Sequence, residues 1–368
     1  GPPPPPATQY VFDMGHTVGD LAKQLYPGGI EVGADGRAMA PRTGGPARGP
    51  ASAEGRPDLE ATVAATGELL RERRPLFEAS FLGAEATGRR YVRVDILAPT
   101  PGDEESWDLV EVKSSTRVKD INLWDVAFQA GALESAGVKL SRLYLMHIDT
   151  SYVRRGPVEP ARLFARDDVT DRARKLMSDV PTLFARFAAT IGGDRPQVPI
   201  GPQCRDPFHC AMLPVCWRDV APDDVTTLVR AGRQAFEWRD RGWLRIGQVP
   251  DAELSDLQLV QKAAVTSGAQ RVDIAAVRDV LARLEYPLWH VDFESLNPAV
   301  HLFEGTRPFD QLPFQFSLHV QEAPGAAPRH VEFLSTTADD ARPAVLEALR
   351  AIGPRGTVLA FNASFESQ

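Results

Sequence analysis

The sequence predicts an α/β chain: a mixed sheet flanked by helices, then a helical connector and a second strand-rich unit. Three observations predict it. FEASFLG, YVRVDILAP and SWDLVEVKSS alternate apolar and polar residues with the period-two signature of strands. Stretches with apolar residues at helical spacing lie before and after them. A second run of strand-like segments begins at Pro287.

Length and composition bound this reading. At 368 residues the chain exceeds one ordinary core, which points to about two or three domains. With 43% hydrophobic and 24% charged residues it is globular in composition, not a disordered tail. The formal net charge of -8 argues against a protein that coats nucleic acid through a basic surface, and any nucleic-acid path must be a local groove. Metal-binding carboxylates would contribute to that negative sum, and bound cations restore local positive charge. No run of 18 apolar residues is present, and GPPPPPATQY has neither the charged start nor the apolar stretch of a signal peptide. A cytoplasmic, reducing location without a membrane is expected. The first residue is Gly, and FNASFESQ stops just past an apparent strand, so the chain reads as a piece of a longer protein.

The elements follow in order. Phe12 to Tyr26 reads as a helix, with Val18, Leu21, Ala22 and Leu25 at helical spacing. Met39 to Arg56, rich in Gly, Pro, Ala and Arg, reads as a solvated loop. LEATVAATGELLRER is helical, and the three strand candidates follow it. A helix from about Asp120 to Ser135, ended by Gly137, leads into a strand, SRLYLMHID. Residues 156 to 200 look helical and punctuated by prolines, and Asp224 to about Glu285 looks helical and polar. PLWHVDFESL then reads as a buried strand, PFQFSLHVQE and RHVEFLS as further strands, DDARPAVLEALRAIG as a helix and TVLAFNASFE as another strand. The domains implied are 1–220, 221–285 and 286–368.

The first constellation is Asp95, Glu111 and Lys113. Val92, Val94 and Ile96 share one strand face, so Asp95 points to the other; Glu111 and Lys113, two apart, share a face opposite Val110 and Val112. If the strands pair, the three groups converge. Two carboxylates suit a hard divalent cation, Mg2+ or Mn2+, which polarises a phosphate and lowers the pKa of a bound water. The Lys113 ammonium can orient that water or offset transition-state charge. The alternative is a cross-strand ion pair of Asp95 and Lys113 on a solvated face.

The second constellation is Asp292 and Glu294, two apart on one face of a strand. The alternative is ordinary strand-end polar residues. The third is Cys204, Cys210 and Cys216 in a C-x5-C-x5-C pattern. Clustered thiols in a reducing compartment suit a metal or an iron-sulfur cluster better than a disulfide framework. His209 could complete a Cys3His zinc site instead, and unligated core cysteines remain the third possibility.

On these residues and on the order helix, three strands, helix, strand, the chain resembles the PD-(D/E)XK nuclease superfamily, and most closely its RecB-like and CRISPR-associated exonucleases. The resemblance implies roles for more residues. Gly15-His16 looks like that family's glycine-histidine element, with His16 as a metal ligand. Glu78 stands on the first core strand, where an acidic residue is common, and Gln129 matches a helix glutamine that positions lysine or phosphate. Otherwise His16 is a plain helix residue and Gln129 a surface amide. Val94 stands where the name-giving proline would be, and the aromatic that commonly follows the glutamine is missing. The cysteines resemble those that close an iron-sulfur (4Fe-4S) cluster together with one far upstream, which here would precede Gly1. VDFESL and FNASFE resemble RNase H-like 3′-5′ exonucleases of the DEDD type. There Asp292, Glu294 and Glu366 would bind metal, Asn362 and Phe365 match, and Phe361 replaces a histidine. FDMGHTVGDLAKQLYPGG, LVEVKSST, the cysteine segment and VDFESLNPAV with LFEGTRPFDQLPFQFSLHV are similar to the bacterial family called domain of unknown function 2779.

The expectation is therefore a metal-dependent nuclease acting on DNA at single-stranded or frayed ends, in repair or defence. Its second, RNase H-like domain would be truncated and inactive here. A binding module that retains the folds without cleavage, and an RNA-processing exonuclease, are the alternatives.

Overall fold

The computed structural model describes residues 5–41, 58–85 and 88–362 of the chain. They divide into two compact units. One comprises those within 5–194, 289–354 and 358–362, the other residues 195–288 and 355–357.

The first unit opens with helix α1 (Pro6–Lys23), which starts earlier than its apolar spacing suggested because Pro6 is preorganised for a first helical turn. Val18 and Ala22 are its buried stripe. Two short strands follow, β1 (Ile30–Val32) and β2 (Ala38–Met39), too brief to show periodicity in sequence. Met39 thus belongs to a strand and not to the expected loop; the rest of that loop beyond Pro41 lies outside the described residues. Next come α2 (Leu59–Leu69), capped by Asp58 accepting from the Ala61 N–H, then β3 (Leu76–Glu85), β4 (Gly88–Pro99), β5 (Trp107–Val112), α3 (Asp120–Ser135) and β6 (Leu140–Ile148). The expected order of helix, three strands, helix and strand is present. Within the stretch expected to be helical, α4 (Pro160–Leu163) leads into strand β7 (Phe164–Asp168), then α5 (Thr170–Met177) and α6 (Val180–Gly192). FARDD makes a strand because β6 offers it an antiparallel edge, a tertiary opportunity with no sequence signature.

The strands form one seven-stranded mixed sheet in the order β2-β1-β3-β4-β5-β6-β7. β3, β4 and β5 pair antiparallel, and β5 pairs parallel with β6 across the α3 connection. Leu76, Ala79, Val94, Leu109 and Leu143 meet Val126, Ala130 and Leu133 of α3 in the main core.

In the second unit, α7 (Leu213–Cys216), α8 (Gln234–Asp240), α9 (Asp256–Ser267) and α10 (Ile274–Ala282) are short, with one 3-10 turn between α7 and α8 and two between α8 and α9, so helix is sparser there than expected. Val225, Leu228, Ala231, Ala235, Trp238, Ile246 and Val249 are its core.

The chain then forms β8 (Leu288–Leu296), β9 (Leu312–Gln321), β10 (Arg329–Leu334), α11 (Arg342–Leu349) and β11 (Thr357–Leu359), a four-stranded sheet in the order β10-β9-β8-β11. One face of β8 is buried: Trp289 and Val291 pack with Phe316, Leu318 and Val345, whereas His290 and Asp292 on the other face are exposed and Glu294 beside them is open to solvent as well. The loop after β8 returns to the first sheet, where Ala299 and Val300 pack against Val18, Ile148 and Tyr152. No helix among the described residues is long and apolar enough to cross a membrane.

Candidate active site

Three neighbouring strands bring three carboxylates into one row. In the β3/β4 ladder Phe77 faces Ile96 and Ala79 faces Val94, and the register skips the Glu78–Asp95 position between them. In the β4/β5 ladder the pairing stops with Ile96 opposite Val110, one step short of Asp95 and Glu111. Both interruptions have visible causes. Glu78 has a left-handed backbone (φ 57°), which breaks strand geometry at that residue. The Asp95 carboxylate takes the place of a ladder bond by accepting the Val112 N–H at 2.7 Å. Acidic groups at directly opposed positions repel, so nothing in sheet packing favours the row.

The charges show the consequence. Burial, then the neighbouring Glu78 carboxylate, raises the Asp95 pKa to about 6 against hydrogen bonding from Val112 and attraction to Lys113. Glu111 is buried and its pKa is raised well above the usual carboxylate range, by desolvation and then by Asp95. Lys113, just past the end of β5, does not pair with Asp95. Its Nζ lies 2.6 Å from both Glu111 Oε1 and Asp125 Oδ2. Burial works against that ammonium, but Glu111 and Asp125 outweigh it and raise its pKa.

Gln129 is buried in α3, not a surface amide. Its Nε2 donates to Glu111 Oε2 (2.8 Å) and Asp125 Oδ1 (3.1 Å), and its Oε1 is buried with no partner. Carboxylates at both donor positions fix the amide orientation, so the unsatisfied acceptor is a property of the site.

α1 closes the other side. A cleft of about 190 Å3 is lined by Gly15, His16, Gly19, Asp20, Lys23, Glu78, Asp95 and Val112. His16 therefore reaches the same cleft as Glu78 and Asp95, from an exposed helix position. A Cβ on Gly15 or Gly19 would meet nothing within 4 Å, so these glycines leave the cleft open on the helix side. Buried Lys23 pairs with Glu31 (3.0 Å) and Glu78 (3.4 Å), and Arg93 with Glu78 (3.0 Å).

Sequence reasoning missed Asp125, Lys23 and Arg93. Signals existed for two of them: Asp125 stands one helical turn before Gln129, and Lys23 completes the His16–Asp20–Lys23 stripe at i, i+4, i+7. Among the described residues, no group of three or more His, Cys, Asp or Glu side chains is disposed to hold a metal ion. As they stand, both Glu111 oxygens are engaged by Lys113 and Gln129. Carboxylate oxygens such as those of Glu78 and Asp95 are the ligand type that a hard divalent cation takes.

Asp292 and Glu294 share one face of β8 with His290, away from this row in the sequence and on the other sheet. Asn362 follows β11, and Phe365 and Glu366 lie outside the described residues. Cys204, Cys210 and Cys216 are free, Cys204 buried and the other two exposed. All three line one cavity of about 640 Å3, and His209 does not line it.

Residues 289–368 match the model of the family described as Domain of unknown function (DUF2779). No curated protein and no solved structure matches the chain.

Proposed function

We propose that the chain is a metal-dependent nuclease that hydrolyses DNA phosphodiester bonds at single-stranded or frayed ends, through a PD-(D/E)XK-type site on β3, β4, β5 and α3. The observation that carries this reading is the Glu78–Asp95–Glu111 row, in which Asp95 and Glu111 both have raised pKa values although Lys113 lies close by. Carboxylates with strongly perturbed pKa values cluster at functional sites. Asp95 and Glu111 would hold Mg2+ or Mn2+, with Glu78 and His16 on the cleft wall. There a cation would supply polarisation of the phosphate and a lowered pKa for a water.

This chain's own groups do the rest. Lys113, held protonated at Nζ, places a positive charge beside Glu111, where a phosphate oxygen gains negative charge in the transition state. Gln129 fixes the rotamers of Glu111 and Asp125. Burial of Glu111 strengthens the interactions made there. A strand end that can bend enters a cleft of about 190 Å3 more readily than stiff duplex does.

The three thiols opening on one cavity favour an iron-sulfur cluster, with zinc as the alternative. DEDD-type chemistry at Asp292 and Glu294 is a second reading, favoured by their shared face of β8. The clamp of Lys113 between Glu111 and Asp125 favours a third, a nucleic-acid or partner-binding module without cleavage.

One experiment separates them. Protein expressed anaerobically is incubated with Mn2+ and end-labelled single-stranded DNA or RNA of the same sequence, beside Lys113→Ala, Asp292→Ala and the double variant. The proposal expects DNA cleavage that Lys113→Ala lowers at least a hundredfold. Residual trimming lost only in the double variant assigns a second activity to Asp292. Intact DNA and RNA with every metal leaves the binding module.

A further inference from the structure

Three arginines of the second unit converge on a separate pocket of about 340 Å3, lined by Arg205, Arg230 and Arg233 together with Asp206, Leu228 and Phe236. Three arginines and one aspartate line it, a surplus of two positive charges in a chain of net charge -8. Three other arginines of this unit are each paired with a carboxylate: Arg239 with Asp224, Arg241 with Glu253 and Arg245 with Asp223. In the pocket Arg233 is paired with Asp206, but neither Arg205 nor Arg230 has a carboxylate partner among the described residues.

The pocket is built and not merely basic. Arg205 is stacked on the Trp217 ring, 4.8 Å from its centroid. Arg230 stands in the left-handed region (φ 56°), a conformation that an arginine adopts only under constraint. The constraint is visible. Leu228 and Ala231 on either side of it are buried in the core. The backbone before it is held by two glutamines of α9: Gln261 accepts the Val229 N–H at 2.8 Å and donates to Thr227 O at 2.9 Å, and buried Gln258 donates to Val229 O at 2.9 Å. Surrounding structure thus holds a strained loop that brings an unneutralised guanidinium to a concave site.

We infer that this pocket binds a backbone phosphate of a nucleic-acid strand, with Arg205 and Arg230 as its donors and Arg233, steadied by Asp206, as its flank. The fork of a guanidinium matches phosphate oxygens in two hydrogen bonds, and the apolar floor of Leu228 and Phe236 suits the sugar that adjoins them. This rests on the reading that nucleic acid is the substrate, and it gives an acidic protein the local basic groove that such a substrate requires.

The test uses the full chain without divalent metal, a fluorescein-labelled single-stranded oligodeoxynucleotide, and anisotropy over a series of salt concentrations. In the Arg205→Ala/Arg230→Ala variant affinity at low salt should fall at least tenfold, and the slope of log affinity against log salt should flatten by about 0.7 for each phosphate that is no longer neutralised. Arg230→Gly guards against misfolding, because glycine accepts the left-handed backbone; it should weaken binding while its melting temperature stays at or above that of the parent. Titration with inorganic phosphate separates the sources of the anion. Saturable phosphate binding that Arg230→Gly removes, with strand affinity unchanged, overturns the strand assignment in favour of a free phosphate. Unaltered affinity and slope in the double variant, with cleavage intact, overturn the pocket and leave the nuclease reading standing. Weakened strand binding in a chain that never cleaves does the reverse.

Discussion

At the residue scale, Asp95 carries a conflict that can be measured. Its pKa is raised to about 6 from an ordinary 3.8, so between these values the folded chain binds more protons at Asp95 than the unfolded one. Stability from this group therefore falls as pH rises through that window, and the loss persists above it, by roughly 2–3 kcal/mol. Asp103 acts in the opposite sense: hydrogen bonds from Ser106 and Glu105 lower its pKa to about 2, so its contribution is present at neutral pH and lost in acid. Comparison with a variant isolates Asp95. Asp95→Asn keeps an oxygen for the Val112 N–H and removes the charge. Thermal melts without metal should show the variant gaining stability over the parent from pH 4 to pH 7. Mn2+ should raise the parent's melting temperature and not the variant's, and the variant should not cleave DNA. A constant difference across pH would show that Asp95 does not titrate in this window.

At the element scale, the site depends on how closely α3 lies on β3. A Cβ on Gly83 would come within 3.0 Å of the Ala132 backbone, a distance that the helix must relieve by moving. α3 also carries Asp125 and Gln129, so its displacement loosens the hold on Lys113 and Glu111. Gly83→Ala should cost about 1–3 kcal/mol by denaturant unfolding and lower DNA cleavage under conditions in which the variant is fully folded. Retained cleavage with lost stability would show that α3 supports the sheet without setting the site. The same scale explains the strand missed at Phe164–Asp168 and the pair at Ile30–Met39. Their residues gain strand structure from neighbours elsewhere along the chain, β6 and β3, and not from alternation of their own.

At the scale of the whole molecule, each unit has its own core. Trp238 is fully buried at the centre of the second. Trp238→Ala should cost about 3–5 kcal/mol, and calorimetry should resolve two transitions of which only one moves. A single transition that shifts as a whole would mean that the units unfold together. The segment that matches the family model is not a separate body: β8, β9 and β10 belong to the same unit as the first sheet. Arg154 shows the attachment, donating to His301 O (2.9 Å) and Leu302 O (2.6 Å) across the chain.

The sequence by itself determined the order of the core elements, the apolar faces, and the convergence of Asp95, Glu111 and Lys113. These follow from periods of two and 3.6 residues, which local backbone geometry imposes on any chain. It also marked Gln129, His16 and the three cysteines, through spacing and resemblance. Tertiary structure alone decided the partners. It turned Lys113 from Asp95 toward Glu111 and Asp125, placed Lys23 beside Glu78, and brought Arg205 and Arg230 to one pocket. It also joined residues 289–354 to the first unit and left one face of β8 open to solvent. The physical reason is common to all of these. Charge pairing and desolvation depend on distances between residues remote in sequence, and those distances exist only once the sheets have formed and their cores have closed.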